Sequence, residues 1–493
     1  MITVLLDKAE FEYDIHSLVK AFYPKEEVYV STKDKEKKEE PVHYHMDVQF
    51  APEEIIFSWK RVEASEDNAN QNGITKCVAV DYTNRKETKN SLKRTLYRLL
   101  SEYTGVELPW GNLTGIRPTK IPMALLEEGK SEEEIARYMK ETYFTSDEKI
   151  KLSIEIAERE LELLHKLDYE EGYSLYIGIP FCPTTCLYCS FTSYSMSAWK
   201  NRMDDYLSAL EKELDYTAVK FAHKKLNSIY IGGGTPTTLE PYQLDRLIRK
   251  IKCSFDLSDC LEFTVEAGRP DSITREKLMA IREYPVTRIS VNPQTMNQET
   301  LDIIGRRHTV EQTKEAFHLA RELGYDNINM DLIVGLPGED IHMVERTLEQ
   351  VRELAPDSIT VHSLAVKRAA RLNIFKEKYQ EMSFENNQEI MDLTMKTAYE
   401  MGMGPYYLYR QKNMKGNFEN VGYAKVDKAG IYNILIMEEK QPIIALGAGG
   451  SSKLVFDHGQ RIERVENVKD VSNYISRIDE MIERKRTAIA TWL

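Results

Sequence analysis

The sequence predicts an α/β fold: a partial (β/α)6 barrel with an N-terminal α+β domain and a C-terminal α+β extension. Three observations support this prediction. Six strand-like runs alternate with helical segments in the middle of the chain, as in a parallel sheet. Six such units fill only about three quarters of an eight-stranded barrel, so the sheet should close incompletely and leave a lateral opening for a large substrate. The 493 residues leave room for about three structural units.

The N-terminal segment, residues 1–168, mixes apolar runs of strand character with helical ones. Strands are expected at Ile2–Leu6, Val42–Phe50, Ile55–Val62 and Cys77–Tyr82, and helices near Ser91–Tyr103, Ser131–Tyr143 and Lys149–Leu167. The last helix leads into the next unit, which puts the domain boundary near residues 168–172.

The middle segment, residues 169–365, carries the six βα units. Its strands are expected at residues 173–180, 226–232, 261–266, 286–292, 326–334 and 357–365. Among the intervening helices, Thr309 followed three residues later by Gln312 has the pattern of a capping box. The C-terminal segment, residues 366–493, mixes helices with Tyr- and Gly-rich stretches and is expected to cover the opening of the barrel.

Composition and charge exclude several classes of protein. Hydrophobic residues make up 42% and charged residues 29%, which is ordinary for a globular enzyme and too apolar for a disordered chain. A net charge of −13 argues against general nucleic-acid binding, because neutralising phosphates requires clustered Lys and Arg. No apolar window approaches the length of a membrane span, and the first residues become acidic before a signal peptide could form. A cytoplasmic protein without a membrane span is expected.

Three of the six cysteines, Cys182, Cys186 and Cys189, follow the first barrel strand directly. Such clustering in a long chain indicates metal binding rather than disulfides. Three thiolates spaced C-x3-C-x2-C can hold three irons of a [4Fe–4S] cluster and leave the fourth iron open to an outside ligand. A structural zinc site would need a further Cys or His, and the next residues, Ser190 and Phe191, cannot bind zinc. The spacing therefore favours a cluster with an open iron.

Polar and glycine-rich positions end the other strands. The run GGGTPT, residues 232–237, ends the second strand, where glycines let the backbone approach a ligand. The carboxyl edge of a βα barrel is where its site is built, because the loops converge there. Arg306 suits a carboxylate, and Glu266, Gln294 and Asp331 suit hydroxyl or amino groups. Alternatively, the charged residues among them form ion pairs at the rim of the barrel.

The cysteine motif and the following Gly-rich motif resemble the radical S-adenosylmethionine (SAM) superfamily. The resemblance implies that SAM binds the open iron and that one electron cleaves it, giving a 5′-deoxyadenosyl radical that removes hydrogen from a substrate. The segments between about residues 173 and 455 resemble more narrowly the oxygen-independent coproporphyrinogen III oxidases: YIGIPFCPTTCLYCSF, IYIGGGTPTTL, RISVNPQT, IGRRH, NMDLIVGLPGE and LGAGGSS. The segments TGIRPTK and YYLYRQK are most similar to the branch called HemZ, coproporphyrinogen dehydrogenase.

The resemblance implies two cofactors, a [4Fe–4S] cluster and SAM, and a set of residues that contact them. The cluster ligands would be Cys182, Cys186 and Cys189, and the SAM contacts Tyr176, Tyr188, Gly233, Gly234, Thr235, Glu266, Gln294, Arg306, Asp331 and Ala365. No catalytic acid or base is assigned. The best-known family members have Tyr-x-His-Ile-Pro before the first cysteine and Gly-Cys after the last, whereas this chain has Gly178, Ser190 and Phe191. These departures bear on the substrate and the reaction outcome, because the three cluster ligands remain.

Coproporphyrinogen carries four propionates, so its pocket should contain cationic side chains. Candidates for these propionate contacts are Lys367, Arg368 and Arg371 after the sixth strand, and Arg410 with Lys412 further along. The same residues could instead form a solvated helix start and a surface loop. Tyr406, Tyr407 and Tyr409 could flank a flat macrocycle or form an aromatic strand in a core.

The sequence thus predicts a radical SAM enzyme of anaerobic haem biosynthesis. Its reaction would decarboxylate two propionates of coproporphyrinogen III oxidatively to vinyl groups, giving protoporphyrinogen IX, with an outside electron donor and acceptor. Two alternatives remain open: a haem-binding chaperone that keeps the cluster, and a radical SAM enzyme that methylates or opens a tetrapyrrole. Shared barrel motifs do not choose among these functions.

Overall fold

The computed structural model of the chain divides into two compact units. It describes residues 1–32, 42–62, 73–191, 193–365, 370–374, 382–411 and 418–492. The first unit comprises Met1–Glu155 and Arg410–Phe418, and the second Ile156–Tyr409 and Glu419–Leu493. The division of the chain at residues 168 and 365 stays a prediction. In the part of the chain that is described, no helix combines the length and apolar character needed to cross a membrane.

The first unit is an α+β arrangement, as predicted. Its elements are β1 (Ile2–Leu6), α1 (Glu12–Phe22), β2 (Val28–Thr32), β3 (Tyr44–Phe50), β4 (Glu54–Arg61), β5 (Ile74–Ala79), α2 (Arg85–Thr104), α3 (Lys120–Glu127), α4 (Glu132–Tyr143) and the start of α5 (Asp147–Leu164). The sheet order is β2-β1-β3-β4-β5, with β1 parallel to both neighbours and the other pairs antiparallel. Ile15 of α1, Leu96 of α2 and Trp59 of β4 belong to one buried core. Burying these apolar side chains stabilises the unit.

The second unit contains the predicted βα units and the rest of the chain. Its elements after α5 are β6 (Gly172–Ile179), β7 (Phe181–Cys182), β8 (Tyr194–Ser195), α6 (Met196–Trp199), α7 (Met203–Lys220), β9 (Lys225–Gly233), α8 (Pro241–Ser254), β10 (Glu262–Gly268), α9 (Arg275–Arg282), β11 (Arg288–Val291), α10 (Gln298–Ile303), α11 (Val310–Glu322), β12 (Ile328–Val334), α12 (Ile341–Leu354), β13 (Ser358–Ser363), α13 (Arg371–Ile374), α14 (Gln388–Glu400), β14 (Gly404–Tyr409), β15 (Asn420–Ala424), α15 (Ile431–Glu438), β16 (Ile443–Leu446), β17 (Ser451–Phe456), β18 (Arg461–Glu466), α16 (Val471–Ser476) and α17 (Ile478–Trp492).

One sheet of eleven strands organises this unit, in the order β14-β15-β13-β12-β11-β10-β9-β6-β16-β17-β18. The six strands from β6 to β13 in this sheet run parallel, which confirms the predicted (β/α)6 units. The C-terminal segment adds strands at both ends: β15 and β14 beyond β13, and β16 to β18 beyond β6. These additions pair the backbone groups that the edges of a six-stranded open sheet would expose.

The structure shows the outcome of two local sequence signals, one at Thr309 and one at Arg288. The predicted capping box forms, since Thr309 Oγ1 accepts from the Gln312 amide at 3.1 Å and the Gln312 side chain accepts from the Thr309 amide at 2.9 Å. Arg288 is the first residue of β11, so this part of the segment RISVNPQT lies at the amino end of the strand and not at the carboxyl end with the other polar groups. There its Nη2 donates to Ser358 Oγ at 3.0 Å.

Candidate functional site

The three clustered cysteines lie in the loop that leaves the carboxyl end of β6. Cys182 ends the short strand β7, Cys186 is buried, and Cys182 and Cys189 are half-buried. The Cys189 amide donates to the Cys186 carbonyl at 3.2 Å, which closes a tight turn. The Leu187 amide donates to the Ile304 carbonyl at 2.9 Å and so ties the loop to the end of α10. The cysteine loop is therefore held by main-chain contacts within the described structure.

Side chains from two other strand ends reach the cysteine sulfurs. The Thr235 hydroxyl after β9 donates to Cys182 Sγ at 3.7 Å. Burial raises the pKa of the Cys182 thiol to about 11, although the Thr235 hydrogen bond and the Arg269 charge act in the opposite direction. Cys182 is thus a neutral thiol at neutral pH in the metal-free protein, and metal binding must release its proton.

Arg269, which follows β10, reaches the second cysteine. Its Nη1 donates to Cys186 Sγ at 3.6 Å and to the Thr184 carbonyl at 3.3 Å. Its Nε and Nη2 donate to the carboxylate of Asp271 at 2.9 and 2.8 Å. The sequence interpretation assigned Glu266 in the same segment, TVEAGRPD, and missed Arg269. A local pattern could not reveal a contact between residues 83 positions apart.

The glycines after β9 are required by backbone packing. Gly233 has φ +111°, in the region that favours glycine, and the Gly234 amide donates to the Ile179 carbonyl at 2.8 Å. A Cβ on Gly234 would lie 2.5 Å from the Phe181 carbonyl oxygen, and one on Gly232 would lie 2.8 Å from Glu266 Oε2. The run therefore lets the end of β9 pack directly against the strand that delivers Cys182.

Arg306 and Glu266 are joined through Asn292, beyond the end of β11. Arg306 Nη1 donates to the Tyr188 hydroxyl at 3.2 Å, and its Nη2 donates to the Asn292 carbonyl at 2.5 Å. The Asn292 side-chain amide donates to Glu266 Oε1 at 3.5 Å. Burial, together with the charge of Asp331, raises the pKa of Glu266 to about 8. Glu266 is therefore largely a neutral acid at pH 7 in the ligand-free protein.

Asp331 and Gln294 are neighbours across β11 and β12. The Gln294 amide donates to the Asp331 carbonyl at 3.0 Å, and the Asn329 side chain donates to Asp331 Oδ1 at 2.8 Å. Gln294 has φ 70°, an uncommon conformation for a residue with a side chain. Its buried Oε1, like Nε of Arg306, has no hydrogen-bond partner among the described residues. Buried polar atoms without a partner are costly, so these two atoms indicate a place for ligand atoms.

Tyr176 lies on β6, the strand that leads into the cysteine loop. Its ring stacks on Tyr230 of β9 with centroids 6.2 Å apart, and Tyr230 stacks on Tyr432 of α15 at 4.7 Å. The nearby charge of Glu266 adds to burial in raising the pKa of Tyr176. Ala365 lies two residues after the end of β13 and is half-buried. The predicted SAM contacts thus come from strands β6, β9, β10 and β12 and from the loops that follow β7, β9, β11, α10 and β13, and their roles stay predictions.

Two of the five predicted propionate contacts, Arg371 and Arg410, lie within the described residues. Lys367, Arg368 and Lys412 lie outside the described residues. Arg371 is exposed at the start of α13. Arg410 belongs to the first unit, where it is only 4% exposed, donates to the Leu113 carbonyl at 2.6 Å and lies over the Trp110 ring. Contact with a propionate stays a prediction. At Arg410 it would require the guanidinium to give up its contacts with the Leu113 carbonyl and the Trp110 ring.

The tyrosines of β14 occupy a core. Tyr406 and Tyr407 are buried, and the Tyr407 ring stacks on Tyr409 with centroids 6.2 Å apart. A Cβ on Gly422 of β15 would lie 2.0 Å from the Tyr407 ring, so that glycine makes room for it. The Tyr409 hydroxyl reaches His362 of β13, a residue that the sequence interpretation did not single out. Of the two interpretations of these tyrosines, an aromatic strand in a core therefore applies to Tyr406 and Tyr407.

Comparisons with known proteins identify the family of the chain and support its fold. The radical SAM superfamily model matches residues 176–351. The chain is 42% identical over 418 residues to the oxygen-independent coproporphyrinogen-III oxidase-like protein HemZ of Bacillus subtilis, covering 83% of each chain. It is 33% identical over 314 residues to the heme chaperone HemW of Bacillus subtilis, covering 62% of this chain and 76% of that protein. The structure of the radical SAM coproporphyrinogen III oxidase HemN from Escherichia coli matches with a TM-score of 0.51 and 24% identity, covering 65% of this chain and 72% of that one, which supports the fold.

The residues fit the [4Fe–4S] cluster and the SAM that these similarities imply. In the described part of the chain, no three His, Cys, Asp or Glu side chains converge on a single metal ion. A four-iron cluster does not need such convergence, because each cysteine binds a different iron. The donor set has three thiols on one loop. Two buried polar atoms without a partner among the described residues belong to Gln294, which follows β11, and to Arg306, which follows α10. Thiolate donors suit iron–sulfur clusters.

Proposed function

Because the chain belongs to the oxygen-independent coproporphyrinogen III oxidase-like family of radical SAM proteins, we propose that it converts propionates of coproporphyrinogen III to vinyl groups. The observation that carries this proposal is the identity of 42% to the oxidase-like protein HemZ over 83% of both chains. Each propionate would lose one hydrogen atom, one electron and CO2. Turnover therefore needs an outside electron donor for the cluster and an outside acceptor for the substrate electron.

When bound, the cluster and SAM supply a 5′-deoxyadenosyl radical that removes the hydrogen atom from the substrate. The proposed ligands of the cluster are Cys182, Cys186 and Cys189, whose thiols must be deprotonated to bind iron. The Thr235 hydroxyl and the Arg269 guanidinium donate hydrogen bonds to two of these sulfurs. They would continue to orient the bound cysteines.

The proposed SAM-binding residues lie at the carboxyl edge of the parallel strands. Arg306 would bind the carboxylate, and its Nε, which has no partner among the described residues, is the available donor. Asp331 and Gln294 would accept hydrogen bonds from hydroxyl or amino groups, and Glu266 would do so once deprotonated. Holding the ligand with residues of β10 and β12 and of the loops after β11 and α10 would fix its reactive carbon relative to the substrate.

The test is an anaerobic incubation of the reconstituted full chain with SAM, a reductant and coproporphyrinogen III, followed by mass spectrometry. Two successive losses of CO2 support the proposal. Cys186→Ser should abolish the reaction, whereas Cys253→Ser, at an exposed cysteine outside the motif, should retain it. Cleavage of SAM with no change in coproporphyrinogen mass would refute the proposed substrate.

A haem chaperone is the second candidate, because the chain is 33% identical to HemW over 76% of that protein. The same preparation should then retain added haem through gel filtration without chemical change and without decarboxylating coproporphyrinogen. A gain of methyl mass, or a linear tetrapyrrole product, would instead support the third alternative, a tetrapyrrole-modifying radical SAM enzyme.

A further inference from the structure

A buried cation, the guanidinium of Arg269, lies against the cysteine loop. Arg269 is 4% exposed, and its Nη1 lies 3.6 Å from Cys186 Sγ. An arginine side chain keeps its charge at any pH at which the protein is folded. A fixed positive charge is therefore within hydrogen-bond reach of a predicted cluster ligand.

Asp271 fixes the direction of this guanidinium. Its two carboxylate oxygens take Nε and Nη2 of Arg269 in a paired arrangement, at 2.9 and 2.8 Å. Nη1 is then left on the edge that faces the Cys186 sulfur and the Thr184 carbonyl. A bidentate pair of this kind restricts rotation, so the positive end of the ion pair points at the sulfur and the negative end points away.

The Thr184 side chain extends this contact to a second loop. Arg269 Nη2 donates to Thr184 Oγ1 at 3.1 Å, and that hydroxyl donates to the Gly305 carbonyl at 3.0 Å. Arg269 therefore contacts both the loop that carries the cysteines and, through Thr184, the loop that carries Arg306. A role confined to loop packing must be separated experimentally from an effect of the charge.

The reduction potential of an iron–sulfur cluster depends on hydrogen bonds to its sulfurs, on local charge and on solvent exposure. Reduction adds negative charge to the cluster, and a nearby cation stabilises the reduced form. We propose that Arg269 is a positioning residue that donates a hydrogen bond to the Cys186 thiolate and makes the cluster easier to reduce. Asp271 holds Arg269 in the required orientation. This inference rests on the cluster and not on the tetrapyrrole reaction, so the two can fail separately.

The experiment is a redox titration of the cluster in the anaerobically reconstituted full chain, followed by electron paramagnetic resonance. Arg269→Gln removes the charge and should shift the midpoint potential to a more negative value. Arg269→Lys keeps the charge but loses the forked geometry, so its shift should be smaller and in the same direction. Arg275→Gln, at an exposed arginine paired with Glu322 on α9, is the matched control and should leave the potential unchanged. Iron and sulfide content and the spectrum of each variant establish that the same cluster is compared.

Either of two results with the variants would overturn the proposal. The first is an Arg269→Gln variant that has a complete cluster and the wild-type midpoint potential. The second is an Arg269→Lys variant whose midpoint potential is shifted as far as that of Arg269→Gln. A measurement on the unmutated protein covers the case in which Arg269→Gln binds no cluster. Protein containing arginine labelled with 15N in its guanidinium should show nitrogen coupling to the reduced cluster in pulsed electron paramagnetic resonance, and the lysine variant should lose that coupling. Absence of coupling in the unmutated protein overturns the proposal as well.

Discussion

The Tyr409 hydroxyl lies 3.2 Å from Nδ1 of His362, and Nε2 of the same ring lies 4.0 Å from Oδ2 of Asp331. Burial lowers the pKa of His362, while the Asp331 charge opposes that shift. The imidazole is therefore neutral at neutral pH. Its ring lies between the Tyr409 hydroxyl of β14 and a carboxylate that we propose as a SAM contact, so it would restrict where that carboxylate can move.

Replacing His362 should accordingly change SAM binding more than cluster binding. We expect His362→Phe to weaken SAM affinity by up to about tenfold, because it removes the Tyr409–His362 hydrogen bond, worth about 0.5–1.5 kcal/mol, and the polar ring nitrogen that faces Asp331. His362→Gln, which keeps a polar group there, should stay within about threefold of the wild type. Equilibrium binding of SAM to reconstituted protein measures both values, with iron content as the control. If the phenylalanine variant binds SAM like the wild type, His362 does not position Asp331.

The raised pKa of Glu266 predicts that the affinity for SAM depends on pH. Its pKa is raised to about 8 by burial and by Asp331, so below pH 8 the carboxyl group is mostly protonated. A carboxylate that accepts hydrogen bonds from SAM must first lose this proton. Affinity should therefore rise with pH by up to about tenfold per unit from pH 6.5 to pH 8, and level off above it.

Glu266→Gln provides the matched control for this titration, because the amide keeps the size of the side chain and has no proton to lose. Its affinity should be weaker at pH 8.5 and flat with pH across the range, measured by titration calorimetry under anaerobic conditions. An unchanged pH slope in the glutamine variant would assign the titration to another group and contradict the prediction.

The lowered pKa of the buried His308 side chain predicts that the free energy of unfolding falls in acid. The side chain is fully buried, neither ring nitrogen has a partner among the described residues, and burial lowers its pKa to about 3. The unfolded chain binds a proton there near pH 6.5, whereas the folded chain does not. Its contribution to stability is thus complete above pH 6.5 and lost as the pH falls towards 3, by about 2 kcal/mol between pH 6.5 and pH 5.

His308→Leu should remove this part of the pH slope, as seen in the urea midpoint of the metal-free protein at pH 7.5 and pH 5. His342→Leu, at an exposed histidine of α12, should leave the slope as it is in the wild type. Equal slopes in the wild type and His308→Leu would show that His308 is protonated in the folded chain.

The sequence predicted those parts of the fold and site that depend on local pattern. The six parallel strands and the cap at Thr309 follow from alternation and spacing over a few residues. Arg269 reaches Cys186 across 83 positions, and Tyr409 reaches His362 across 47, so no local pattern contains these contacts. Arg410 lies in the first unit over the Trp110 ring, and its contact with a propionate stays a prediction. Tertiary packing, and not a local sequence pattern, decides that the segment Arg410–Phe418 belongs to the first unit.

A buried ion pair in the second unit supports the turn at Gly447, which packs against β6. Lys485 Nζ of α17 donates to Glu213 Oε1 of α7 at 2.6 Å, and both side chains are at most 1% exposed. Glu213 Oε2 accepts from the Gly447 amide at 2.9 Å and from the Tyr474 hydroxyl at 2.6 Å. A Cβ on Gly447 would lie 2.5 Å from the Gly178 carbonyl oxygen, so the turn packs directly against β6.

Glu213→Gln should therefore destabilise the protein by about 3–5 kcal/mol, because it leaves the Lys485 charge buried without its partner. Adding Lys485→Met should recover much of this loss, since a methionine fits an apolar site and removes the uncompensated charge. Thermal unfolding of the two single variants and the double variant forms a mutant cycle that isolates the pair. If the losses of the single variants simply add in the double variant, Glu213 and Lys485 do not stabilise each other, and the Gly447 turn is held by the remaining hydrogen bonds alone.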